Sequence, residues 1–321
     1  MNTADLQKIA TRTRSMREAG IAILLASAIL ALFLLIPAGS KSGSQTSDTD
    51  SGSLTSTTST APDAFANVPL EAKAAIVYDL VTGETLYAKN ADAQLPLASL
   101  TKLLSVYAAL QVFSPDTAIT IPPSVTTLTP PKTFSAGQIF SLSDLARLTL
   151  TASLNDGAAA IAEATAARES RSQSDMLAGA AASLGLSQTY AVNGSGLDMS
   201  AAISGGYGSA RDLARLAGAL VQKAPTIAEA TTQAFTQATS AGGTTFKVKN
   251  TDPIINTIPR LLLSKTGYTD LAGGNLALVF DSGMQHPIAV VVLGSSQKAR
   301  FTDGSALVAA TLAHFAGVAS L

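Results

Sequence analysis

The chain has 321 residues, 47% hydrophobic and only 13% charged, which gives room for one large domain or two small ones and is too apolar for disorder throughout. A net charge of −1 leaves no electrostatic footprint for a nucleic-acid partner, and zero cysteines exclude disulfide scaffolds, zinc–thiolate and iron–sulfur sites, cysteine nucleophiles and a lipobox-type anchor. With two histidines, His286 and His314, no tryptophan and 5% aromatics, a His-rich metal site and a stacking platform for sugars or bases fall away, and an enzyme built on this chain would take Lys or a carboxylate as its base.

Residues 1–20 are polar and carry Lys8, Arg12, Arg14 and Arg17, as expected of a cytoplasmic basic segment. Residues 21–36 run without a charge, and 21–38 is expected to be a transmembrane signal anchor or a signal peptide, with Ala38-Gly39-Ser40 as a possible cleavage site. On either reading the basic flank stays inside and the rest is exported. The expected location is the cell membrane, with the folded part outside the cytoplasm, or secretion if the leader is cut. Residues 39–63 are nearly all Ser, Thr, Gly and Asp and are expected to form a disordered linker. Residues 64–321 read as the globular domain.

Within it, Ala74–Tyr78 and Thr85–Lys89 flank Val81-Thr82-Gly83-Glu84, which is a hairpin signal. Leu100–Phe113 has helical spacing, and a short strand is expected at Ala118–Ile121. Leu142–Leu150, Gly157–Ala167, Asp175–Leu184 and Ala210–Val221 read as helices, the last with Ser209 as N-cap. Leu261–Thr266, Asn275–Phe280 and Ile288–Leu293 read as strands, and Ala306–Phe315 as a terminal helix. The class is α/β of the α+β kind. One antiparallel sheet comes from the early hairpin and the last three strands, with the terminal helix on it. The middle helices form a second lobe, and a site is expected in the cleft between the two.

Three motifs fall where chemistry could use them. Ser99-Leu100-Thr101-Lys102 sets a hydroxyl and an amine three apart at a helix start, on one face. A buried lysine with a lowered pKa can take the serine proton. A second copy, Ser295-Ser296-Gln297-Lys298, follows a strand and leads into Arg300-Phe301-Thr302-Asp303-Gly304 without an apolar helical run, so it reads as a surface turn. Ser153-Leu154-Asn155 lies between two helices, where a hydroxyl could relay a proton and an amide could orient a lysine or a substrate amide. Lys265-Thr266-Gly267 ends an apolar strand and offers a cation, a hydroxyl and a position free of side chain.

Together, in this order and on these elements, the motifs resemble those of the β-lactamases and penicillin-binding proteins. The chain resembles the low-molecular-mass penicillin-binding D-alanyl-D-alanine carboxypeptidases, serine peptidases of the DacA type. Further resemblance lies in Ser153–Glu163, Leu184-Gly185-Leu186, Gly196-Leu197-Asp198, Ser209–Leu213 and Lys265–Gly274. Leu154, Leu97 and Ser264 depart from the family pattern. The resemblance implies a β-lactamase/transpeptidase-like fold and a site that trims the terminal D-Ala from peptidoglycan stem peptides during cell-wall maturation. Ser99 would be the nucleophile and Lys102 its base. Ser153 would return the proton, and Asn155 would hold Lys102 and the substrate. Lys265, Thr266 and Gly267 would bind substrate, with Arg300 helping at the carboxylate. The oxyanion would rest on the backbone N–H groups of Ser99 and Tyr268. The resemblance implies no metal or nucleotide cofactor, and it implies inhibition by β-lactams. The N-terminal hydrophobic segment would replace a C-terminal anchor.

Other readings of the same site are a DD-endopeptidase, a β-lactamase, or a catalytically silent membrane-tethered module. A class A β-lactamase needs a deacylating glutamate. No carboxylate between Ser153 and Lys265 stands in a Glu-x-x-Leu-Asn segment.

Overall fold

The computed structural model describes residues 63–317. The expected span at 21–38 and nearly all of the linker at 39–63 lie outside the described residues. Among the described residues, no helix is long and apolar enough to cross a membrane.

The chain opens with β1 (Ala74–Asp79) and β2 (Thr85–Lys89), the expected hairpin. The Asp79 carboxylate accepts from Val81 and Thr82 N–H, and Gly83 turns the chain at φ 76°. Strand β3 (Leu95–Pro96) leads through a 3-10 turn at Ala98–Leu100 into α1 (Thr101–Val112). Every residue of α1 from Thr101 to Leu110 is buried, the mark of a helix surrounded by protein. Next come β4 (Ala118–Thr120) and β5 (Ile139–Ser141), which pair, then α2 (Leu142–Ala152), α3 (Asn155–Glu169) and α4 (Gln173–Ser183). Strands β6 (Tyr190–Ala191) and β7 (Gly206–Gly208) join β3 in a small sheet. After α5 (Ala210–Lys223) and α6 (Pro225–Ala230), β8 (Phe235–Thr239) and β9 (Thr245–Lys249) form a second hairpin. The chain closes with β10 (Leu261–Thr269), β11 (Gly273–Asp281), β12 (Pro287–Ser295) and α7 (Ala299–Ala316).

Three helix starts follow one local rule. Ser141, Ser172 and Ser209 each accept from the N–H of an aspartate three residues on, and that aspartate places negative charge in the first turn.

The main sheet has the order β10-β11-β12-β1-β2, antiparallel throughout. Its strands read as continuous apolar runs because both faces are covered. Ala74, Ile76, Ala277, Val279, Ala289 and Val291 face one core, shared with the helical lobe. Ala75, Val77, Leu276, Leu278, Ile288 and Val290 face the other, with Leu307 and Val308 of α7. Fully burying one such aliphatic side chain is worth about 1.5–3 kcal/mol, so the two cores fix the strand register from both sides.

The structure departs from the sequence reading at the terminal helix and in several short elements that the reading lacked. The terminal helix starts at Ala299, not Ala306, and takes in the Arg300–Gly304 stretch read as non-helical. Its polar residues are paired: the buried Asp303 carboxylate accepts from Glu71 N–H, Ala72 N–H and Ser295 Oγ–H. Gly304 is small because Leu276 lies against it. The β8–β9 hairpin and α6 are additions, although Thr245-Phe246-Lys247-Val248-Lys249 alternates polar and apolar as a half-buried strand does. The Ser295–Lys298 copy does form a turn, and Ser296 Oγ caps Ala299 N–H.

Candidate active site

The nucleophile candidate sits in a strained turn. Ala98, just before Ser99, is fully buried at φ 47°, a left-handed conformation that costs a non-glycine residue free energy. Two glycines press against this turn. A Cβ at Gly196 would stand 1.9 Å from Ala98 O, and one at Gly267 would stand 3.0 Å from Leu97 O. The turn leaves Ser99 half-buried at the head of α1, with Lys102 one turn on.

Lys102 is 0% exposed and has three close partners. Its Nζ lies 2.8 Å from Ser99 Oγ, 2.9 Å from Asn155 Oδ1 and 2.7 Å from the Ser195 carbonyl. Burial pulls its pKa from 10.5 down to about 7, against the opposing charge of Asp156. A neutral amine keeps two N–H donors and one lone pair. The donors satisfy Asn155 and Ser195, and the lone pair faces the Ser99 hydroxyl.

Asn155 can turn only one way. Its Nδ2 donates to Thr129 O at 2.8 Å, which leaves Oδ1 for Lys102. The Ser195 carbonyl is presented by an Asx turn, in which Asn193 Oδ1 accepts from Ser195 N–H and Gly196 N–H. Ser105 Oγ–H ties this loop to α1 through Gly194 O.

Ser153 occupies the left-handed C-cap of α2, at φ 58°. Its Oγ accepts from Lys265 Nζ at 2.8 Å, and Lys265 also donates to Thr266 O at 2.8 Å. Lys265 is buried on edge strand β10, and desolvation drives its pKa well below the usual lysine value. The charges of Lys102 and Arg300 push it further the same way. The Thr266 hydroxyl is 2.7 Å from that of Thr251.

Arg300 belongs to the same end of the site. Its Nη1 donates to Gly267 O at 2.6 Å, its guanidinium lies over the Phe301 ring, and its buried Nε has no protein partner. Burial lowers its pKa, against Asp252 and Tyr268. Tyr268 is 43% exposed at the rim, its hydroxyl 3.4 Å from Asp270.

The structure therefore brings Ser99, Lys102 and Asn155 into one cluster, Ser153 and Lys265 into a second, and Gly267 and Arg300 beside the nucleophile turn. The sequence did not point to Ser195, Thr129, Thr251 or Asp252. The first two act through backbone carbonyls, which leave no side-chain signal. Asp252 is buried and accepts from Ser264 Oγ–H at 2.5 Å; burial raises its pKa. The Asn250-Thr251-Asp252-Pro253 turn before β10 was its only sequence trace.

Of the carboxylates between Ser153 and Lys265, Asp156 and Glu163 are engaged by other donors. Asp156 accepts from Thr133, Phe134 and Gly157 N–H, and Glu163 accepts from Ser124 Oγ–H. The histidines are elsewhere: His286 Nε2 is 2.6 Å from Asp79 Oδ2, and the His314 ring packs on Phe65. Among the described residues no cluster of His or acidic groups could hold a metal.

Residues 56–297 match the protein family described as D-alanyl-D-alanine carboxypeptidase. The chain is 31% identical over 265 residues to a D-alanyl-D-alanine endopeptidase of Pseudomonas aeruginosa, covering 79% of this chain and 83% of the relative. It is 29% identical over 255 residues to the D-alanyl-D-alanine carboxypeptidase DacF of Bacillus subtilis, covering 75% of this chain and 64% of that protein. Its fold matches penicillin-binding protein D2 of Listeria monocytogenes, solved with ampicillin bound, at a TM-score of 0.64 and 27% identity over 76% of this chain and 98% of that one.

Proposed function

The chain belongs to the D-alanyl-D-alanine carboxypeptidase family and is a penicillin-binding serine hydrolase of that class; from that premise we propose that it trims stem peptides through an ester on Ser99. The observation that carries this reading is Lys102: fully buried, depressed to about 7, and 2.8 Å from Ser99 Oγ. Such an amine is half neutral near neutral pH, as a general base should be.

In this mechanism Lys102 takes the Ser99 proton as Oγ attacks the carbonyl carbon of the penultimate D-Ala. The oxyanion that forms rests on the N–H groups of Ser99 and Tyr268. The C–N bond breaks, and Ser153, backed by Lys265, delivers the proton to the departing D-Ala nitrogen. Asn155 keeps Lys102 and the substrate amide in register. Thr266 and Arg300, with Lys265 adding positive potential, hold the terminal carboxylate, and Gly267 lets the substrate backbone approach. Water then cleaves the ester. A β-lactam would enter the same sequence and stall at the ester.

We place this domain outside the cytoplasm, held at the membrane by residues 21–38 or released if they are cut. The support is the charge-free run, its basic flank and the Ser/Thr-rich segment that follows.

The test is acylation of the full chain by a fluorescent penicillin beside Ser99→Ala, followed by peptide mapping and D-Ala release assays. A stable adduct on Ser99 with D-Ala release supports the reading. Label lost within seconds, with penicilloate accumulating, would turn it to β-lactamase. No adduct in folded protein would leave a silent tethered module.

A further inference from the structure

The Asn250-Thr251-Asp252 turn lies between two elements of the site. On one side is α2, which ends just before Ser153, and on the other is β10, which carries Lys265 and Thr266. Thr251 touches both. Its N–H donates to Thr151 O at 3.2 Å, and its hydroxyl lies 2.7 Å from that of Thr266. The residues flanking it are fixed. Asn250 Nδ2 donates to Thr231 O at 2.6 Å and to Gln233 O at 2.9 Å, while Asn250 Oδ1 accepts from Asp252 N–H. The Asp252 carboxylate accepts from Ser264 Oγ–H on β10 and from Ile254 N–H. Thr251 is therefore held against the strand from both sides.

The direction of the Thr251–Thr266 bond follows from what else each hydroxyl can reach. A hydroxyl has one proton to give and lone pairs with which to accept. Thr251 Oγ1 has one other acceptor nearby, Thr151 O, at 3.5 Å. That is outside the range of roughly 2.5–3.0 Å for an O–H···O bond, and Thr151 O is already met by the Thr251 N–H. Thr251 therefore gives its proton to Thr266 Oγ1. The Thr266 hydroxyl has no other hydrogen-bond partner among the described residues and keeps its own proton for a third group. Only 4% of Thr266 is exposed, so few waters compete for that proton.

We infer that Thr251 is a positioning residue for the carboxylate site: by donating to Thr266 Oγ1, it turns the Thr266 proton toward the carboxylate of the substrate. In the proposed function, on which this inference rests, Thr266 and Arg300 hold that carboxylate. Thr251 itself touches no substrate. It acts before binding, because a hydroxyl already aimed at its acceptor gives up no rotational freedom, and breaks no bond to a protein acceptor, when the carboxylate arrives. A hydrogen bond to a carboxylate is charge-assisted and stronger than one between neutral groups. Loss of its aim should therefore show in binding rather than in the bond-breaking steps at Ser99.

The test is a double-mutant cycle in the full chain: wild type, Thr251→Val, Thr266→Val and the double variant, with Thr251→Ser beside them. Thermal unfolding establishes that each is folded. Two reactions are followed: acylation of Ser99 by a penicillin, whose carboxylate would take the same donors, and D-Ala release from a stem peptide ending in D-Ala-D-Ala. Thr251→Val is expected to raise KM, and the half-saturating penicillin concentration, about fivefold or more, with kcat nearly unchanged. Thr251→Ser keeps the hydroxyl and is expected to recover most of that loss. In the Thr266→Val background, Thr251→Val is expected to change nothing further, because the proton it directs is gone. Effects that add in full, a loss in kcat rather than KM, or a Ser variant as poor as Val would each overturn the inference and leave Thr251 a residue that holds the turn. Acylation without D-Ala release overturns the proposed trimming, and the cycle is then decided on acylation alone. No acylation of the folded wild type overturns both.

Discussion

Lys265 Nζ stands 2.8 Å from Ser153 Oγ, although the two residues are 112 positions apart. One comes from the edge of the sheet and the other from the end of a helix in the opposite lobe. Their contact joins the two halves of the cleft across its floor. The nucleophile pair, Ser99 and Lys102, faces it from α1. Proton acceptance and proton return are therefore assigned to separate lysine–serine pairs, each buried enough to keep its lysine from holding a proton tightly.

Acylation should depend on pH through Lys102. Below about 7 its neutral fraction falls close to tenfold per unit, and the rate of penicillin attack on Ser99 should fall with it. Above that value the rate should level off. Stopped-flow labelling between pH 5 and 9 checks this, and a flat profile would remove Lys102 as the base.

Asn155→Asp should move that midpoint upward. A carboxylate 2.9 Å from Nζ favours the protonated lysine, by about one pH unit or more. A merely structural role for Asn155 predicts slower acylation with an unmoved midpoint.

Gly196→Ala should disable the site from outside it. The added Cβ meets Ala98 O at 1.9 Å, and the backbone there is left-handed at φ 74°. The nucleophile turn must shift, and strain of this kind costs roughly 1–3 kcal/mol. Penicillin labelling should drop at least tenfold, with a lower Tm in thermal unfolding. Wild-type labelling in this variant would refute the account of the turn.

Asp303→Ala should cost stability through unmatched donors. Two backbone N–H groups and the Ser295 hydroxyl would lose their acceptor, each worth about 1–3 kcal/mol when buried and unmet. Denaturant unfolding should show a loss of several kcal/mol, while Asp303→Asn should recover part of it.

Much of this was legible in the sequence because the strongest signals were local. The apolar strands announced themselves as unbroken runs, since both faces of the sheet are buried. The Ser99–Lys102 spacing needs only a helix to bring the two side chains together. The start of α7 was hidden because Asp303 looks like a surface residue until its partners at Glu71 and Ala72 are known, 232 and 231 positions away. Ser195 was hidden because its contribution is a carbonyl. The strained Ala98 was hidden because alanine gives no warning of a left-handed backbone; only the glycines packed on it do, and they lie far along the chain.

The burial of Lys102 also couples catalysis to folding. In the unfolded chain this lysine titrates near 10.5, and in the folded protein near 7. Between those values the unfolded chain binds the additional proton. Stability therefore rises with pH across that window, by up to about 1.4 kcal/mol per unit from this one group. Above 10.5 neither state holds the proton and the penalty is gone; below about 7 both hold it and the penalty is complete. Unfolding at pH 8 to 9 should thus consume a proton from the buffer. As the surroundings acidify, the fold should therefore weaken first, between about 10.5 and about 7, and the base should be switched off only below about 7.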